Sequence, residues 1–464
     1  MNYKNLLSII LIIFFGTSLS YLYYKSEIIN EGLIRYHYKK YFILSFVSLF
    51  LFYILKNLSE LWNKKFFYIL IFFIFSTYIF EVILFYNGKN FELKREKYFK
   101  KYLKNYEISY EKRDKFDVYL DKKKNNQNIF LATDPYHFIK DNTDIFPLSS
   151  YANIETILCN EYGLLSVYES DRYGFSNPDY EWDNEIDYLI VGDSFVHGNC
   201  VNQKDSISGV LRKMNGGKGV LNLGFGGNGP LIEYAQLREY LDLINVKRVL
   251  WFYSETDDLE GPDFRDPGKF EGLKAELSNK ILKRYYDDQN FRQGLANKQD
   301  LVDELSYKKN EKILDIIERS KKNKNNLENI IKLRNLRKFA IKILNSKNNK
   351  KINQKISDEF MKIITNANKI FKEKNIEFYF IYVTDIDRYS KSYFDLEENN
   401  YDKIKEFIIK SDRIKLIDLH EELFKNLENP LSLFTKQFQN EYQYYNIEGH
   451  KLVAEKIHKI INTK

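Results

Sequence analysis

The sequence predicts an α/β domain with a five-stranded parallel sheet and a helical insert, preceded by three transmembrane helices. Three observations support this fold class. Apolar stretches long enough for a membrane open the chain of 464 residues. From about residue 186 onwards, apolar runs typical of strands alternate with helical patterns, and glycine-rich turns follow the first two of these runs. Strands that alternate with helices indicate a parallel sheet covered by helices on both faces.

Three apolar stretches predict a membrane anchor over residues 1–88. The first and third approach the roughly 20 residues that cross a bilayer, while the second is shorter. Lysines flank all three, which are Leu6–Tyr24, Tyr41–Leu55 and Phe66–Tyr86. A cleaved signal peptide is the alternative for the first stretch, although two more stretches follow it. Within the third, Glu81 is expected near the interface or against a neighbouring helix, because a carboxylate that faces lipid is costly.

Two features of the sequence disagree on which side of the membrane the carboxyl-terminal domain lies. Lysine and arginine are abundant both between the stretches and after the third, so positive charge does not favour export of the carboxyl-terminal domain. The chain has only two cysteines, Cys159 and Cys200, near the start of that domain. Such a pair suits a structural disulfide in an oxidising compartment, and two free buried thiols are the alternative. The cysteines lead us to expect an extracytoplasmic domain.

Charge and side-chain chemistry argue against other classes of ligand. The net charge of +7 comes with lysine-rich and asparagine-rich runs that lack the interleaved aromatic residues of a nucleic-acid site. The six histidines are scattered, and no pair of cysteines has the spacing of metal ligands. We therefore expect the protein to bind neither nucleic acid nor a metal ion.

After the anchor, residues 89–150 are predicted to form a polar, lysine-rich linker with one short strand at Ile129–Ala132. The domain proper covers residues 151–464. Its predicted strands are Ile186–Val191, Gly219–Leu223, Arg248–Tyr253, Ile376–Val383 and Lys415–Leu419, and its clearest helices are Leu231–Leu243 and Ile447–Ile461. An insert of charged helices at about residues 260–372 either caps the crevice or packs on the sheet as a solvated excursion.

The turn Gly192–Gly198 carries the strongest chemical signal. Ser194 follows the first strand in the order Gly-Asp-Ser, at the sheet edge where α/β folds present a nucleophile to a ligand crevice. We expect its hydroxyl to be exposed at the rim of the sheet. The alternative is an ordinary strand-to-helix turn in which aspartate or serine caps the helix.

A second glycine-rich turn, Asn222–Pro230, follows the second strand. Three of its glycines match the dinucleotide fingerprint G-x-G-x-x-G, namely Gly224, Gly226 and Gly229. Glu255, after the third strand, stands where such a site has its ribose-binding acid. However, the Ser194 turn comes first, and Pro230 stands where backbone N–H groups should face a pyrophosphate. A nicotinamide or flavin site is therefore the weaker interpretation.

The two turns, the acidic run after the third strand and the helix start Asn446–His450 together resemble the SGNH/GDSL hydrolase family. Within it, the chain is similar to membrane-anchored members that accompany surface-polysaccharide biosynthesis and acyl modification. The resemblance covers about residues 150–464 and implies a flavodoxin-like three-layer domain. It also implies a serine esterase or O-acyltransferase without a metal or organic cofactor. Ser194 is then the nucleophile, and the backbone N–H groups of Ser194 and Gly227 form the oxyanion hole.

The third block of the family pattern departs from expectation here. It normally supplies an asparagine amide to the oxyanion, but Asp257 occupies that position. A carboxylate cannot donate a hydrogen bond unless it is protonated, and the loss of one such donor typically costs about 10²–10³ in rate. Asn228, beside Gly227, is the candidate replacement.

The last block, normally an Asp-x-x-His pair, departs further. Counting back from Gly449 places Glu441 at the aspartate position and Tyr444 at the histidine position. A tyrosine with an ordinary pKa of about 10 is a poor base near neutrality. His450 is the candidate surrogate base, and its alternative is a helix-face histidine without a chemical role. His197 is close to the nucleophile in sequence, but it is expected to be only a turn residue.

These observations lead to two expectations about function. The first is a multi-pass protein of the bacterial cytoplasmic membrane whose extracytoplasmic domain acts on acyl esters of a surface glycan or lipid-linked sugar. Its partners are then the lipid bilayer and the acylated glycan or lipid-linked saccharide. The second is a catalytically degenerate SGNH domain that binds glycan or serves in an assembly, which the residues at positions 257 and 444 favour.

Overall fold

A computed structural model describes residues 13–14, 16–29, 39, 41–43, 60–125, 128–255, 258, 272–322, 326–346, 357–384, 386–389, 401–435 and 444–463. The chain divides into two compact units. One comprises Met1–Asn90 and Lys324–Ile343, and the other comprises Phe91–Asn323 and Leu344–Lys464.

The described strands are β1 (Ile129–Leu131), β2 (Glu155–Cys159), β3 (Ser166–Glu169), β4 (Ile186–Val191), β5 (Val220–Asn222), β6 (Val246–Ser254), β7 (Glu377–Val383) and β8 (Ile414–Asp418). From residue 60 onwards, the described α-helices are α1 (Glu60–Lys104), α2 (Lys115–Lys124), α3 (Ser194–His197), α4 (Ile207–Met214), α5 (Pro230–Tyr240), α6 (Leu273–Glu276), α7 (Lys280–Asp287), α8 (Gln299–Lys322), α9 (Asn326–Ile331), α10 (Arg334–Ser346), α11 (Asp358–Glu373), α12 (Tyr401–Lys410), α13 (Leu419–Glu422) and α14 (Ile447–Asn462).

The last five strands form one parallel sheet in the order β5–β4–β6–β7–β8. This is the order of a flavodoxin-like doubly wound sheet, whose ligand crevice lies at the carboxyl ends of the strands where the winding direction reverses. That reversal lies between β4 and β6. Tyr188 of β4 pairs with Val220 on one side and with Arg248 on the other, so the ends of the three strands meet at one edge. The predicted parallel sheet is confirmed.

Helices pack on both faces of this sheet because its central strands are apolar on both sides. In β4, only Asp187 is not fully buried. On one face, α5, α11 and α12 pack in a core that contains Trp251 and Tyr253 of β6. On the other face, α4 and α14 pack around Ile190 and Phe252. The result is a three-layer α/β arrangement.

The segment at residues 89–150 is more ordered than the linker that its composition predicts. Helix α1 continues to Lys104, with Phe99 and Leu103 buried one turn apart. Helix α2 and strand β1 follow, and β1 joins β2 and β3 in a small sheet in that order. The apolar pair at positions i and i+4 is the helical signal that the surrounding lysines obscure.

The insert between β6 and β7 is helical, as predicted, and its described residues contain no strand. Residues of α6 and α7, including Leu273, Leu282 and Tyr285, are buried in the same core as α5. Helix α11 then returns the chain to the sheet. For these helices, the structure supports packing against the sheet domain.

Within the described residues, a single helical stretch, Ile71–Lys104, is long and apolar enough to cross a membrane. It overlaps the third predicted span. Its apolar side chains point outward, since Phe72 and Phe73 are 72% and 67% exposed. Of the predicted span Leu6–Tyr24 the structure describes residues 13–14 and 16–24, and of the predicted span Tyr41–Leu55 it describes residues 41–43. Among the residues that the structure describes, one of the three predicted spans is therefore supported.

Glu81 faces a neighbouring helix, which confirms the expectation for this carboxylate. Its side chain is fully buried and accepts hydrogen bonds from the backbone N–H groups of Asn335 (3.0 Å) and Leu336 (2.7 Å) at the start of α10. The Asn335 side-chain amide donates a further bond of 2.7 Å. A carboxylate at a helix N-terminus is stabilised by these free N–H groups and by the helix dipole.

Candidate active site

The turns that follow β4 and β5 are in direct contact at the carboxyl edge of the sheet. Gly224 has no room for a side chain, because an added Cβ would lie 2.3 Å from Val196 Cγ2 and 3.0 Å from the Gly192 carbonyl oxygen. The Asn222 side chain donates to the Val196 carbonyl at 2.7 Å. These contacts explain why position 224 is a glycine, and they bring the two turns together.

Ser194 is the first residue of the short helix α3. Asp193 caps this helix by accepting a hydrogen bond of 2.9 Å from the Phe195 N–H. The capping role that the sequence offered as an alternative therefore holds for Asp193. Ser194 itself is only 9% exposed, so the hydroxyl is recessed and not exposed at the rim as expected. It makes no hydrogen bond to the described part of the chain.

Two backbone donors of this region are without acceptors. Within the described residues, neither the Ser194 N–H nor the Gly227 N–H donates a hydrogen bond to a protein atom. Gly227 has a φ of +70°, a conformation that favours glycine, and it packs closely on the Tyr136 ring. Unbonded N–H groups at the ends of adjacent strands are the donor type that an oxyanion hole requires.

Asn228 is buried with its amide turned toward α5. Its Nδ2 donates to Gln236 Oε1 at 3.3 Å, while its Oδ1 has no partner within the described residues. The contact with Gln236 competes with the donor role that the sequence suggested. That role stays a prediction.

His197 is buried between the two turns. Its Nδ1 accepts a hydrogen bond of 3.3 Å from the Gly226 N–H and lies 3.8 Å from Asp134 Oδ1, while its ring packs 4.7 Å from that of Phe225. Burial lowers the pKa of His197 to about 3, so the ring is neutral. These contacts connect the helix that begins at Ser194 to the Gly226–Gly227 segment.

The carboxyl-terminal block packs beside the Ser194 turn. The Tyr445 ring lies 4.7 Å from that of Phe195, and the Tyr444 ring lies 6.4 Å from it. His450, one turn into α14, is fully buried, and neither ring nitrogen has a hydrogen-bond partner among the described residues. Burial lowers the pKa of His450 to about 3. Its role as a base stays a prediction.

The asparagine and glycine of this block have structural roles. Asn446 caps α14 by accepting from the Gly449 N–H at 2.9 Å, and its amide donates to Ser432 and Phe434 carbonyls. A Cβ at Gly449 would lie 2.2 Å from the Leu433 carbonyl oxygen. The remaining two predicted site residues, Asp257 and Glu441, lie outside the described residues.

Three buried acidic residues, Asp193, Glu233 and Glu276, lie in or next to the two turns. Glu276 of the insert is fully buried and accepts hydrogen bonds from the Gly229 N–H at 2.7 Å and the Leu231 N–H at 2.9 Å. Burial raises the pKa of Glu276 to about 7. Glu233, also fully buried, has a pKa raised well above its ordinary value, by burial first and then by the nearby carboxylate of Asp193.

The Glu276 contacts also bear on the dinucleotide interpretation. The N–H groups of Gly229 and Leu231, at the start of α5, are those that would bind a pyrophosphate. A carboxyl group already occupies them, and Glu255 pairs with Arg388. The geometry therefore disfavours a nicotinamide or flavin at this turn.

Sequence reasoning missed Asp134 and Tyr136, which lie in the segment predicted as a linker. Asp134 approaches His197, and Tyr136 contacts Gly227. The available signal was a proline-containing turn, Asp134-Pro135-Tyr136-His137, separated by two residues from the apolar triplet of β1. Sequence alone carries no distance information, so nothing in it linked this turn to His197 or to Gly227 much later in the chain.

Cys159 and Cys200 form a disulfide with a Cα–Cα distance of 5.1 Å. It joins β2 to the segment that follows α3. Together with Glu161 these sulfurs form the one group of three metal-ligating side chains found within the described residues. The sulfurs are bonded to each other, so they are not available as thiolate ligands in this state.

No family model matches this sequence, and no curated protein matches it. Two of the solved structures that match are the salicylyl-acyltransferase SsfX3 from a tetracycline biosynthetic pathway and the acetyl xylan esterase AlAXEase. The first is 8% identical over 60% of this chain and 55% of its own, with a TM-score of 0.30. The second is 13% identical over 59% of this chain and 99% of its own, with a TM-score of 0.31. The match thus spans about half the length of the acyltransferase. Similarity at this level assigns neither a family nor an activity to the chain.

Proposed function

We propose that this protein is a membrane-anchored SGNH-type serine esterase or O-acyltransferase that acts on acyl esters of a surface glycan or a lipid-linked sugar. The observation that carries the proposal is the contact between the Ser194 turn and the Gly227 turn. This contact supports the proposal because it brings together, at the edge where a doubly wound sheet has its crevice, a recessed hydroxyl and two backbone N–H groups that have no acceptor among the described residues.

The proposed chemistry is acyl transfer through Ser194. The hydroxyl oxygen attacks the ester carbonyl while a base removes the hydroxyl proton. The N–H groups of Ser194 and Gly227 stabilise the negative charge that develops on the carbonyl oxygen. The alcohol of the ester then leaves with a proton, and water or an acceptor hydroxyl releases the acyl group from the serine. His450 is the proposed base, with Glu441 as its proposed partner.

The surroundings of the Ser194 hydroxyl also agree with a second, non-catalytic function. Within the described residues, no imidazole contacts the Ser194 hydroxyl, and His450 is neutral and fully buried. A degenerate domain that binds glycan or holds an assembly partner would need no such base.

A fluorophosphonate probe distinguishes the two functions. We expect the full-length protein in detergent to be labelled, because an activated serine attacks the phosphorus and displaces fluoride. The Ser194→Ala variant should lose the label entirely, and Ser208→Ala, which removes a nearby buried hydroxyl, should keep it. A well-folded wild type that does not react would favour the binding function.

A further inference from the structure

The unit that contains the membrane-spanning part of α1 also contains an amphipathic helix from the insert, α10. Residues Leu336, Phe339 and Ile343 share one face of this helix by their spacing of three and four residues. Arg334, Arg337 and Lys338 occupy the other side. A basic helix with an apolar face is the type that lies in a membrane interface.

The apolar face of α10 is exposed in the protein. Phe339 is 42% exposed and Ile343 is 43% exposed, and Ile331, the last residue of α9, is 57% exposed. Large apolar side chains in a contiguous exposed group mark an interaction surface. Arg334, Arg337 and Lys338 are exposed beside them.

Three contacts attach α10 and the end of α9 to α1. Glu81 accepts the N–H groups of Asn335 and Leu336, as described above. The Tyr78 hydroxyl donates to the Ile331 carbonyl at 3.2 Å, and the Phe80 and Phe339 rings lie 5.7 Å apart. The position of Glu81 on α1 therefore determines the depth at which α10 begins.

That depth agrees with an interfacial position. Glu81 lies five residues before Tyr86, the end of the predicted span Phe66–Tyr86. At 1.5 Å per residue this corresponds to about 8 Å below the end of the span. Interfacial amphipathic helices insert their apolar face to about 5–10 Å.

We propose that α10 is an interfacial helix that binds the lipid bilayer, with Phe339 and Ile343 among the acyl chains and its arginine and lysine residues on anionic headgroups. The bilayer is favoured over a protein partner because the exposed Phe339 ring packs against the exposed Phe80 ring of α1, and because exposed cations flank this face of α10. The inference rests on the membrane anchoring that is part of the proposed function, and it does not depend on the chemistry of Ser194.

Depth-dependent fluorescence quenching tests the proposal. The full-length protein is reconstituted in phosphatidylcholine vesicles with or without phosphatidylglycerol, and an NBD fluorophore is attached to Phe339→Cys, Lys338→Cys or Phe73→Cys. The native cysteines are bonded to each other and do not react. We expect the probe at position 339 to be quenched about twofold more by lipids labelled near the headgroup than at the chain end. Phosphatidylglycerol should strengthen this quenching, and aqueous iodide should reach only the probe at position 338.

The probe at position 73 separates the possible failures. If lipids quench it but iodide reaches position 339, α1 spans the membrane and α10 is not interfacial, which overturns the inference alone. Shielding of position 339 from both lipid and iodide would indicate a protein partner or second copy and would also overturn it. If lipids quench neither probe, the proposed anchor fails as well.

Discussion

His450 lies fully buried in the first turn of α14, and its pKa is lowered to about 3. A histidine in the unfolded chain has a pKa of about 6.5, so below this pH the unfolded state binds a proton that the folded state excludes. Stability is therefore full above pH 6.5 and falls as the pH decreases toward 3. Near-neutral solutions keep the ring uncharged.

We expect the His450→Phe variant to show a weaker pH dependence of stability. Between pH 6.5 and pH 5 the wild-type histidine costs about 2 kcal/mol of unfolding free energy, from 1.4 kcal/mol per pH unit. Over the same pH interval, the unfolding free energy of the variant should therefore fall by about 2 kcal/mol less than that of the wild type. Denaturant unfolding of both proteins at pH 7 and pH 5 measures the difference. An identical dependence would contradict the burial of this ring.

Turnover of the same variant tests the chemical role of His450. If the ring is the surrogate base, an activated ester should no longer be hydrolysed by His450→Phe that is folded at pH 7. An unchanged rate would show that His450 is not the base and that its role is to pack in the core. The sequence identified this position by counting from Gly449, but it held no information on burial.

The Asn177 side chain forms hydrogen bonds with the backbone of the edge strand β5. Strand β5 is at the edge of the sheet, and the Asn177 amide bonds both backbone groups of its last residue. It accepts from the Asn222 N–H at 2.8 Å and donates to the Asn222 carbonyl at 2.9 Å. The amide thus acts as a neighbouring strand would, directly before the Gly227 turn.

We expect Asn177→Ala to destabilise the domain by about 2–3 kcal/mol, because it leaves buried backbone groups without partners. Fluorophosphonate labelling of Ser194 should also slow, since the donors on the next turn lose their support. Asn184→Ala, which removes an exposed amide bond to the Tyr180 carbonyl, is the matched control and should change stability little. Equal unfolding midpoints for the two variants would show that the hydrogen bonds between Asn177 and Asn222 do not stabilise the domain.

At the level of elements, the central sheet could be predicted and the small sheet could not. The interval Ile186–Val191 has the predicted bounds, and the other four central strands differ by one or two residues. Long apolar runs flanked by glycine-rich turns are strong local signals. By contrast, β2 and β3 contain five and four residues and pair through contacts remote in sequence. The position of Glu276 at the Gly229 turn is likewise a long-range contact that no local pattern encodes.

For the molecule as a whole, the disulfide between Cys159 and Cys200 is the main covalent constraint on the sheet domain. Its sequence separation is 41 residues. Closing a loop of that length restricts the unfolded chain and is worth about 4 kcal/mol in the chain-entropy model. We expect the double variant Cys159→Ser, Cys200→Ser to lose about this much unfolding free energy, as measured by denaturant titration. A loss below about 1 kcal/mol would show that the loop is already restricted in the unfolded state.

The same bond permits a test of membrane orientation. In intact cells, a membrane-impermeant thiol reagent should modify the wild type only after a reductant has been added. The double serine variant serves as the control and should not react. Modification without reduction would indicate free thiols, and labelling only after cell lysis would place the domain in the cytoplasm.

The edge of the sheet at β5 has a consequence for solubility. Exposed edge strands are templates on which other chains add strands and begin to aggregate. Here the Val220 carbonyl accepts from Arg212 at 2.7 Å, and both backbone groups of Asn222 bond to Asn177. An incoming strand would find these positions already occupied. We therefore expect the Arg212 and Asn177 side chains to disfavour the addition of a further strand at this edge.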